Sequence, residues 1–331
     1  MRKVLKVVGI LAALIVILIA GAGTYLLTVF PKVGSAPDLS VESTPEMIAR
    51  GEYIANHVTV CIDCHSARDW RYFSAPPTPG TFGQGGDRFD ETVGFPGVFY
   101  SRNITPEGIG DWTDGEIARA VSSGVNKTGE ALFPVMPYPD YVNLSEQDLH
   151  AVIAYVKTLT PIVNQVPERT INFPMNLIVR TIPKPYEPKA HPDTSNKVEY
   201  GKYLATISGC RFCHTPSEKG QAIPGMEFAG GYEFMMPNGL VTSANITPDE
   251  DTGIGGWDAG AFIAIFRSYA PEQVKSAPLD PKDFNTVMPW SMYAGMTDAD
   301  LTAIYEYLRT VNPVNHSINR FVPIDEINAT Q

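Results

Sequence analysis

All four cysteines of this 331-residue chain lie in two five-residue motifs, each of which ends in a histidine. The first motif is CIDCH at 61–65, and the second is CRFCH at 210–214. Paired thiols form disulfides, bind metal ions, act as redox dithiols or bond covalently to a cofactor. The histidine that directly follows both pairs is the feature that distinguishes these chemistries.

Three of these chemistries leave the histidines unexplained. Two disulfides would suit an oxidising compartment, a single zinc ion would take four thiolates, and a CxxC pair alone makes a thioredoxin-like dithiol. Covalent haem attachment does require the histidine, because two thiols add to the haem vinyl groups and the next residue offers its imidazole to the iron. The sequence therefore predicts two covalently attached haem c groups. The predicted attachment residues and imidazole ligands are Cys61, Cys64 and His65 in the first motif and Cys210, Cys213 and His214 in the second.

An internal repeat supports this interpretation independently. RGEYIANHVTVCIDCHSA (50–67) matches YGKYLATISGCRFCHTP (200–216), and SRNITPEGIGDW (101–112) matches SANITPDEDTGIGGW (243–257). The segments 135–161 and 287–313 then match without a gap. Because the matches keep the same order along the chain, they indicate a duplicated domain. We expect one domain at 34–161 and a second at 197–316.

The sixth iron ligand is predicted from positions that recur in the repeat. Methionine, histidine or an open position is usual opposite the attached histidine. Met136 in VMPY and Met288 in VMPW are equivalent, and a proline follows each, so these two are the predicted axial ligands. Met292 and Met296 lie near Met288 but have no methionine counterpart in the first copy. The other histidines have no repeat partner and are expected to be ordinary polar residues: His57, His150, His191 and His316.

The N-terminal segment is long and apolar enough to cross a membrane. Val7–Phe30 contains no charged residue and follows Arg2, Lys3 and Lys6. A span needs about 20 apolar residues, and positive charges stay on the cytoplasmic side. The sequence therefore predicts an anchor at 1–33, a single pass through the inner membrane, and haem domains on the periplasmic side. Cleavage as a signal peptide near Ala20–Ala22 is the alternative.

Composition limits the partners. The net charge is −11, and no basic run follows Arg2-Lys3, so nucleic acid is not expected to bind. An acidic surface suits a soluble partner that offers a basic patch.

The elements that position these residues are predicted from caps and periodicity. A helix is expected to start at Thr44-Pro45, and Thr113 with Glu116 forms a capping box before another. Ser145 and Thr297 are expected to cap the last helix of each copy. No strand pattern is evident, so each copy is expected to consist of helices joined by Gly/Pro loops that surround a haem.

Two further segments complete the predicted organisation. The interval 162–196 contains six prolines and is expected to be an interdomain strap, with FPMNLIVRTI packed on the domains rather than serving as a flexible tether. Residues 317–331 are expected to form a tail.

The motifs resemble those of class I cytochrome c domains, and most closely the cytochrome c subunits of membrane-bound alcohol, aldehyde and sugar-acid dehydrogenases. The resemblance rests on CxxCH, NITP and MPY or MPW in both copies, and it covers roughly residues 44–313. It implies an all-α fold, so the expected architecture is two tandem haem domains behind the single transmembrane helix, whose N-terminal position departs from those subunits. It also implies that Gly51 and Gly201 let the first helix cross closely over the last, near Tyr155 and Tyr307. Those subunits commonly carry three haem domains, whereas this chain has two CxxCH motifs.

Electron transfer is the function that these features predict, and no catalytic residue is expected. The donor would be a dehydrogenase or a quinol-oxidising complex on the periplasmic side, and electrons would continue to a downstream acceptor. A dihaem anchored subunit of a terminal oxidase would use the same chemistry with another partner. A dihaem cytochrome c peroxidase is the alternative enzyme, but it needs an open iron position, against which two equivalent methionines argue.

Overall fold

The computed structural model describes residues 1–218, 220–275 and 277–329, and helices account for most of its regular structure. The helices of these described residues are α1 Arg2–Val29, α2 Pro45–Tyr53, α3 Cys61–Cys64, α4 Pro106–Ile109, α5 Asp114–Ser123, α6 Tyr138–Tyr141, α7 Glu146–Val156, α8 Met175–Ile178, α9 Lys197–Ile207, α10 Cys210–His214, α11 Ala259–Arg267, α12 Pro271–Val274, α13 Trp290–Tyr293, α14 Asp298–Leu308 and α15 Ile324–Ala329. A π-helical turn, Ile54–Val58, continues α2, and 3-10 turns occupy Glu91–Val93 and Val179–Thr181.

The first and last helices of each repeat cross at a glycine. A Cβ built on Gly51 in α2 would lie 1.9 Å from the carbonyl oxygen of Ala151 in α7 and 2.8 Å from Cβ of Tyr155. The equivalent Cβ on Gly201 in α9 would lie 1.8 Å from the carbonyl oxygen of Ala303 in α14. The close crossing that the resemblance implied is therefore present in both repeats.

The predicted helix starts are confirmed. Thr44 accepts a hydrogen bond from the Met47 amide, with Pro45 in the first helical turn. Thr113 forms the expected capping box with Glu116 at the start of α5. The Ser145 and Thr297 hydroxyls accept hydrogen bonds from the amides three residues further on, each at 3.1 Å, and thereby begin α7 and α14. Each cap satisfies an amide that has no partner inside its helix.

The prediction of an all-α fold needs correction, because the described residues also form short strands. These are β1 Arg88–Phe89, β2 Gly97–Tyr100, β3 Thr170–Ile171, β4 Ser217–Glu218, β5 Gln221–Ala222, β6 Glu233–Met236, β7 Gly239–Thr242 and β8 Phe321–Pro323. They pair antiparallel in the orders β1-β2-β3, β4-β5 and β6-β7-β8. Strands of two to four residues are too short to show the alternation from which a strand is predicted.

The third strand in two of these sheets comes from chain beyond the last helix of the repeat. In the first repeat, Gly97 and Val98 pair with Ile171 and Thr170 of the proline-rich segment. In the second repeat, β7 pairs in the same way with β8, which lies in the predicted tail. The strap thus packs on the first repeat through its residues 170–171. The division into domains at 34–161 and 197–316 stays a prediction, and residues 330–331 of the tail lie outside the described residues.

The two repeats contact each other through reciprocal hydrogen bonds. The Tyr53 hydroxyl of α2 donates to Oδ2 of Asp300 in α14 at 2.5 Å, and the Tyr203 hydroxyl of α9 donates to Oδ2 of Asp148 in α7 at 2.5 Å. These two pairs occupy equivalent positions in the repeat. One contiguous hydrophobic cluster includes buried residues of both repeats. We call the two tyrosine–aspartate pairs the clasp.

Candidate functional site

Both CxxCH motifs lie on short helices that follow a left-handed residue. Val60 precedes α3 with φ of 47°, and Gly209 precedes α10 with φ of 68°. Glycine adopts this conformation without steric cost, whereas a β-branched residue is strained in it. The same sharp turn therefore leads from the first helix into the motif in both repeats, and the first repeat maintains it in spite of the strain at Val60.

The four cysteines are free, so the disulfide alternative does not apply. Within the described residues, no group of three or more His, Cys, Asp and Glu side chains could hold a metal ion, which removes the four-thiolate zinc site as well. Burial raises the pKa of Cys64, Cys210 and Cys213 to about 12. Burial also raises the pKa of Cys61. Thiols in this setting are protonated at neutral pH, unlike the low-pKa thiolate of a redox dithiol.

A backbone carbonyl orients each motif histidine. Nδ1 of His65 donates to the carbonyl oxygen of Arg102 at 2.7 Å, and Nδ1 of His214 donates to that of Ala244 at 2.8 Å. Since a carbonyl oxygen only accepts hydrogen bonds, Nδ1 carries the proton in both rings. The lone pair of Nε2 is then free to bind a metal. Burial lowers the pKa of His65, and it lowers the pKa of His214 to about 4, so both imidazoles are neutral at pH 7.

The NITP motif holds those two carbonyls in place. Oδ1 of Asn103 accepts from the Thr105 amide at 3.0 Å and from the Thr105 hydroxyl at 2.7 Å. Asn245 accepts from the Thr247 amide and hydroxyl at the same two distances. Each asparagine directly follows the residue whose carbonyl binds the histidine. The sequence analysis used NITP as a repeated motif but did not assign Arg102 and Ala244 a role. Every residue has a backbone carbonyl, so residue type does not indicate which carbonyl binds the histidine.

The four methionines considered as iron ligands divide into two partly exposed residues and two core residues. Met136 and Met288 are only partly buried and pack against the edge of the core, and each directly precedes a proline. Met292 and Met296 are buried, at 9% and 2% exposure, and are part of the core itself. The assignment of Met136 and Met288 as axial ligands stays a prediction.

Three of the remaining four histidines bond or contact other groups of the protein, and the fourth lines a surface cleft. Nδ1 of His57 bonds the Met292 carbonyl oxygen at 2.8 Å, and Nδ1 of His316 bonds that of Ala229 at 2.9 Å. Nε2 of His191 lies 3.5 Å from Oδ2 of Asp148. His150 lines a surface cleft of about 300 Å³ beneath the strap. All four are thus placed as polar or surface residues.

Two buried tyrosines that the sequence analysis missed lie next to the motifs, one in each repeat. The Tyr141 hydroxyl donates to the Thr59 carbonyl oxygen at 2.7 Å, and the Tyr293 hydroxyl donates to that of Ser208 at 2.6 Å. Burial raises the pKa of both phenols well above the ordinary value, so both are neutral at pH 7. The two tyrosines are equivalent in the ungapped part of the repeat, which is the signal that would have found them.

The residues fit a covalently bound haem c. Each motif offers two unpaired thiols and a neutral imidazole whose Nε2 is free, which is the donor set that thioether attachment and iron ligation require. The two repeats offer this set in the same way.

Comparison with known proteins supports the same chemistry, although no profile of a known protein family matches the chain. The chain is 27% identical over 296 residues to the cytochrome c subunit of an alcohol dehydrogenase (quinone) from Gluconacetobacter polyoxogenes, a match that covers 85% of this chain and 59% of the relative. It is 26% identical over 304 residues to the gluconate 2-dehydrogenase cytochrome c subunit of Pantoea cypripedii, covering 86% of this chain and 64% of the relative. The chain therefore spans less than two thirds of the length of these relatives.

A further relative matches over almost its whole length. The chain is 31% identical over 314 residues to a dihaem c-type cytochrome of Cereibacter sphaeroides, and the match covers 91% of this chain and 97% of the relative. The predicted resemblance to cytochrome c subunits is thereby confirmed, and covalently bound haem c is implied. This chain belongs to the dihaem c-type cytochrome family.

Proposed function

We propose that the chain is a membrane-anchored electron-transfer cytochrome with one haem c in each repeat. It takes electrons from a donor on the periplasmic side and passes them through both haem sites to a downstream acceptor. The observation that carries the proposal is the duplicated CxxCH histidine, whose Nδ1 is bonded to a carbonyl and whose Nε2 is free. A single such histidine would serve one cofactor, whereas two equivalent ones suit a two-centre carrier.

The residues that would hold the haems have separate tasks. Cys61 with Cys64, and Cys210 with Cys213, would form the thioether bonds. His65 and His214 would bind iron through Nε2, with Met136 and Met288 opposite them. When bound, each haem supplies an iron that accepts and releases one electron, and methionine opposite histidine raises its potential.

The chain itself keeps these centres rigid. The carbonyls of Arg102 and Ala244 fix the histidine tautomer, and Asn103 and Asn245 brace the loops that carry those carbonyls. A ligand set that is oriented in advance changes little between the two redox states. Rigidity of this kind suits electron transfer better than substrate binding.

The contact between the repeats supports direct electron passage from one centre to the other. Tyr141 and Tyr293 are both buried, and each hydroxyl bonds the carbonyl oxygen of the residue two positions before a motif, Thr59 for Tyr141 and Ser208 for Tyr293. Both tyrosines belong to the one hydrophobic cluster that includes residues of both repeats, and the clasp joins the two repeats.

The relatives support a dehydrogenase as the electron donor. They include cytochrome c subunits of alcohol dehydrogenase, gluconate 2-dehydrogenase and a fructose dehydrogenase. The functions of these relatives favour electron transfer over the dihaem peroxidase alternative, which has no support among them. We propose that this chain serves a membrane dehydrogenase in the same way, with a quinol-oxidising complex or a terminal oxidase as other possible partners.

The location that we propose depends on α1. Among the described residues, Arg2–Val29 is the helix that is long and apolar enough to cross a membrane, and none of its residues is buried by the protein. Three basic residues precede its apolar part, which orients this end towards the cytoplasm and the repeats towards the periplasm.

Intact mass under denaturing conditions tests the cofactor content. Protein from a host that attaches haem c should carry two covalent haems. The double variant Cys61→Ala/Cys64→Ala should carry one, as should Cys210→Ala/Cys213→Ala. A wild-type mass equal to the bare polypeptide would refute the proposal. Rapid turnover of peroxide by the wild-type protein with a reduced donor would replace electron transfer with the peroxidase function.

A further inference from the structure

Two apolar side chains of the strap are exposed close to the end of the membrane helix. Phe173 lies two residues before α8 and is 80% exposed. Ile178 is the last residue of α8 and is 44% exposed. Single exposed apolar residues are common on soluble proteins. Phe173 and Ile178 differ from such residues because their segment is bonded to the C-terminal end of α1, the predicted membrane helix.

Arg180 connects this segment to the C-terminal end of α1. Its Nη2 donates to the carbonyl oxygens of Leu27 at 2.9 Å and Phe30 at 2.8 Å, and its Nε donates to that of Leu26 at 3.3 Å. The last carbonyls of a helix have no partner inside the helix, and a cation is favourable at that end. The guanidinium therefore caps α1 and holds the strap against it.

Counting along α1 places Arg180 at the outer edge of a bilayer. A hydrocarbon core of about 30 Å takes about 20 residues at about 1.5 Å each. Starting from Val7, which follows the last basic residue, the core would end near Leu26. Just beyond it, Nζ of Lys32 lies 5.2 Å from the ring centre of Phe30. Aromatic and basic residues are typical of the membrane–water boundary.

The other end of the segment is fixed to the first repeat. Ile171 and Thr170 pair with β2, and the Asn172 amide donates to the Pro96 carbonyl oxygen at 3.0 Å. Residues 172–180 therefore form a short connection between a sheet of the first repeat and the capped end of α1. Phe173 and Ile178 are held at the level where α1 would leave the lipid.

We propose that Phe173 and Ile178 form a second membrane contact, in which both side chains enter the boundary between head groups and acyl chains. This contact orients the first repeat on the bilayer. The inference rests on the proposed function in one respect, namely that α1 spans the membrane. Arg102, whose carbonyl binds His65, also bonds the strap through the Pro167 carbonyl oxygen at 3.1 Å, so the contact is continuous with the first haem site.

Lipid photolabelling of the full-length holoprotein tests this contact. The protein is placed in nanodiscs of phosphatidylethanolamine and phosphatidylglycerol that contain a phospholipid with a diazirine high on its acyl chain. Trypsin cleaves after Arg169 and Arg180 and releases residues 170–180 as one peptide. We expect lipid adducts on this peptide as well as on α1. Phe173→Ser/Ile178→Ser should reduce labelling of the peptide several-fold and leave labelling of α1 unchanged.

Phe82→Ser is the matched control, since Phe82 is a 39% exposed phenylalanine of the first repeat outside the strap. It should leave labelling of peptide 170–180 unchanged. Adducts on α1 without adducts on peptide 170–180 would refute the membrane contact while leaving the anchor intact, and the exposed pair would then be free for a protein partner. Absence of adducts from α1, with the chain recovered in the aqueous fraction, would refute the anchor and the contact together.

Discussion

Two backbone carbonyls decide the chemistry of the two motif histidines. The bonds from Nδ1 of His65 to Arg102 and from Nδ1 of His214 to Ala244 keep Nε2 unprotonated. Without them, either ring nitrogen could carry the proton, and the ring could turn away from the metal. The equivalence of the two bonds makes the two repeats alike at the level of single atoms.

At the residue scale, we predict that Met136→Ala and Met288→Ala each remove one of two equal shares of the ferric thioether band at the red end of the visible spectrum. Loss of the ligand should also lower the potential of the affected haem. Absorption spectra and redox titrations of the holoprotein measure both effects.

Met292→Ala is the control for this prediction. Its side chain is a buried core residue, so the substitution should lower stability by about 2–5 kcal/mol and leave the band in place. If Met292→Ala removes half of the band while Met288→Ala keeps it, the ligand assigned to the second repeat is wrong.

At the scale of elements, the helix crossings set the shape of each repeat. A side chain at Gly51 or Gly201 would collide with the backbone of α7 or α14, and backbone yields less readily than a flexible side chain. The crossing brings the first helix, and with it the motif that follows, into a constant position relative to the last helix.

We therefore predict that Gly51→Ala and Gly201→Ala each lower the free energy of unfolding by about 1–3 kcal/mol or more, through forced separation of the helices. Urea denaturation of the holoprotein measures the change.

Gly256→Ala is the control for this prediction, because no atom lies within 4 Å of a Cβ built on Gly256. It should change stability by no more than about 0.5 kcal/mol. Equal effects at Gly51 and Gly256 would contradict a close crossing.

At the scale of the whole molecule, the clasp joins the two repeats. Each tyrosine hydroxyl donates to a buried carboxylate and also accepts a hydrogen bond from a backbone amide. The Thr297 amide donates to Tyr53 at 3.0 Å, and the Ser145 amide donates to Tyr203 at 3.2 Å. Asp148 is further bound by Arg50, whose Nε donates to Oδ1 at 2.8 Å. A connection that uses both repeats equally favours one fixed arrangement of the two centres.

We predict that Tyr53→Phe and Tyr203→Phe each destabilise the protein by about 1.5–3 kcal/mol, the typical contribution of a hydrogen bond to a charged group. Tyr305→Phe, which removes a solvent-exposed bond to the Trp257 carbonyl within one repeat, should cost about 0.5 kcal/mol or less. Urea denaturation compares the three. Similar losses for all of them would show that the clasp does not stabilise the contact between repeats.

The membrane anchor gives a further prediction at this scale. If α1 spans, the holoprotein should remain with membranes after a high-salt wash, and protease added to spheroplasts should release both repeats. A soluble mature chain that begins near Gly23 would instead identify α1 as a cleaved signal peptide.

The sequence by itself determined the chemistry and the duplication. Covalent haem attachment follows from residue types at fixed spacing, and that information is local, so it can be read without a structure. Helix starts at Thr44, Thr113, Ser145 and Thr297 were predictable for the same reason, because a cap acts within one turn.

Only the tertiary structure decided what depends on residues far apart in the chain. The carbonyls of Arg102 and Ala244 act through backbone atoms that every residue has, so no residue type reveals them. The third strands of two sheets, β3 and β8, form because these segments return to edge strands that lie about 70 to 80 residues earlier in the chain. The clasp and the bond from Arg180 to α1 likewise join residues about 55 to 250 positions apart, a separation over which propensity and periodicity carry no information.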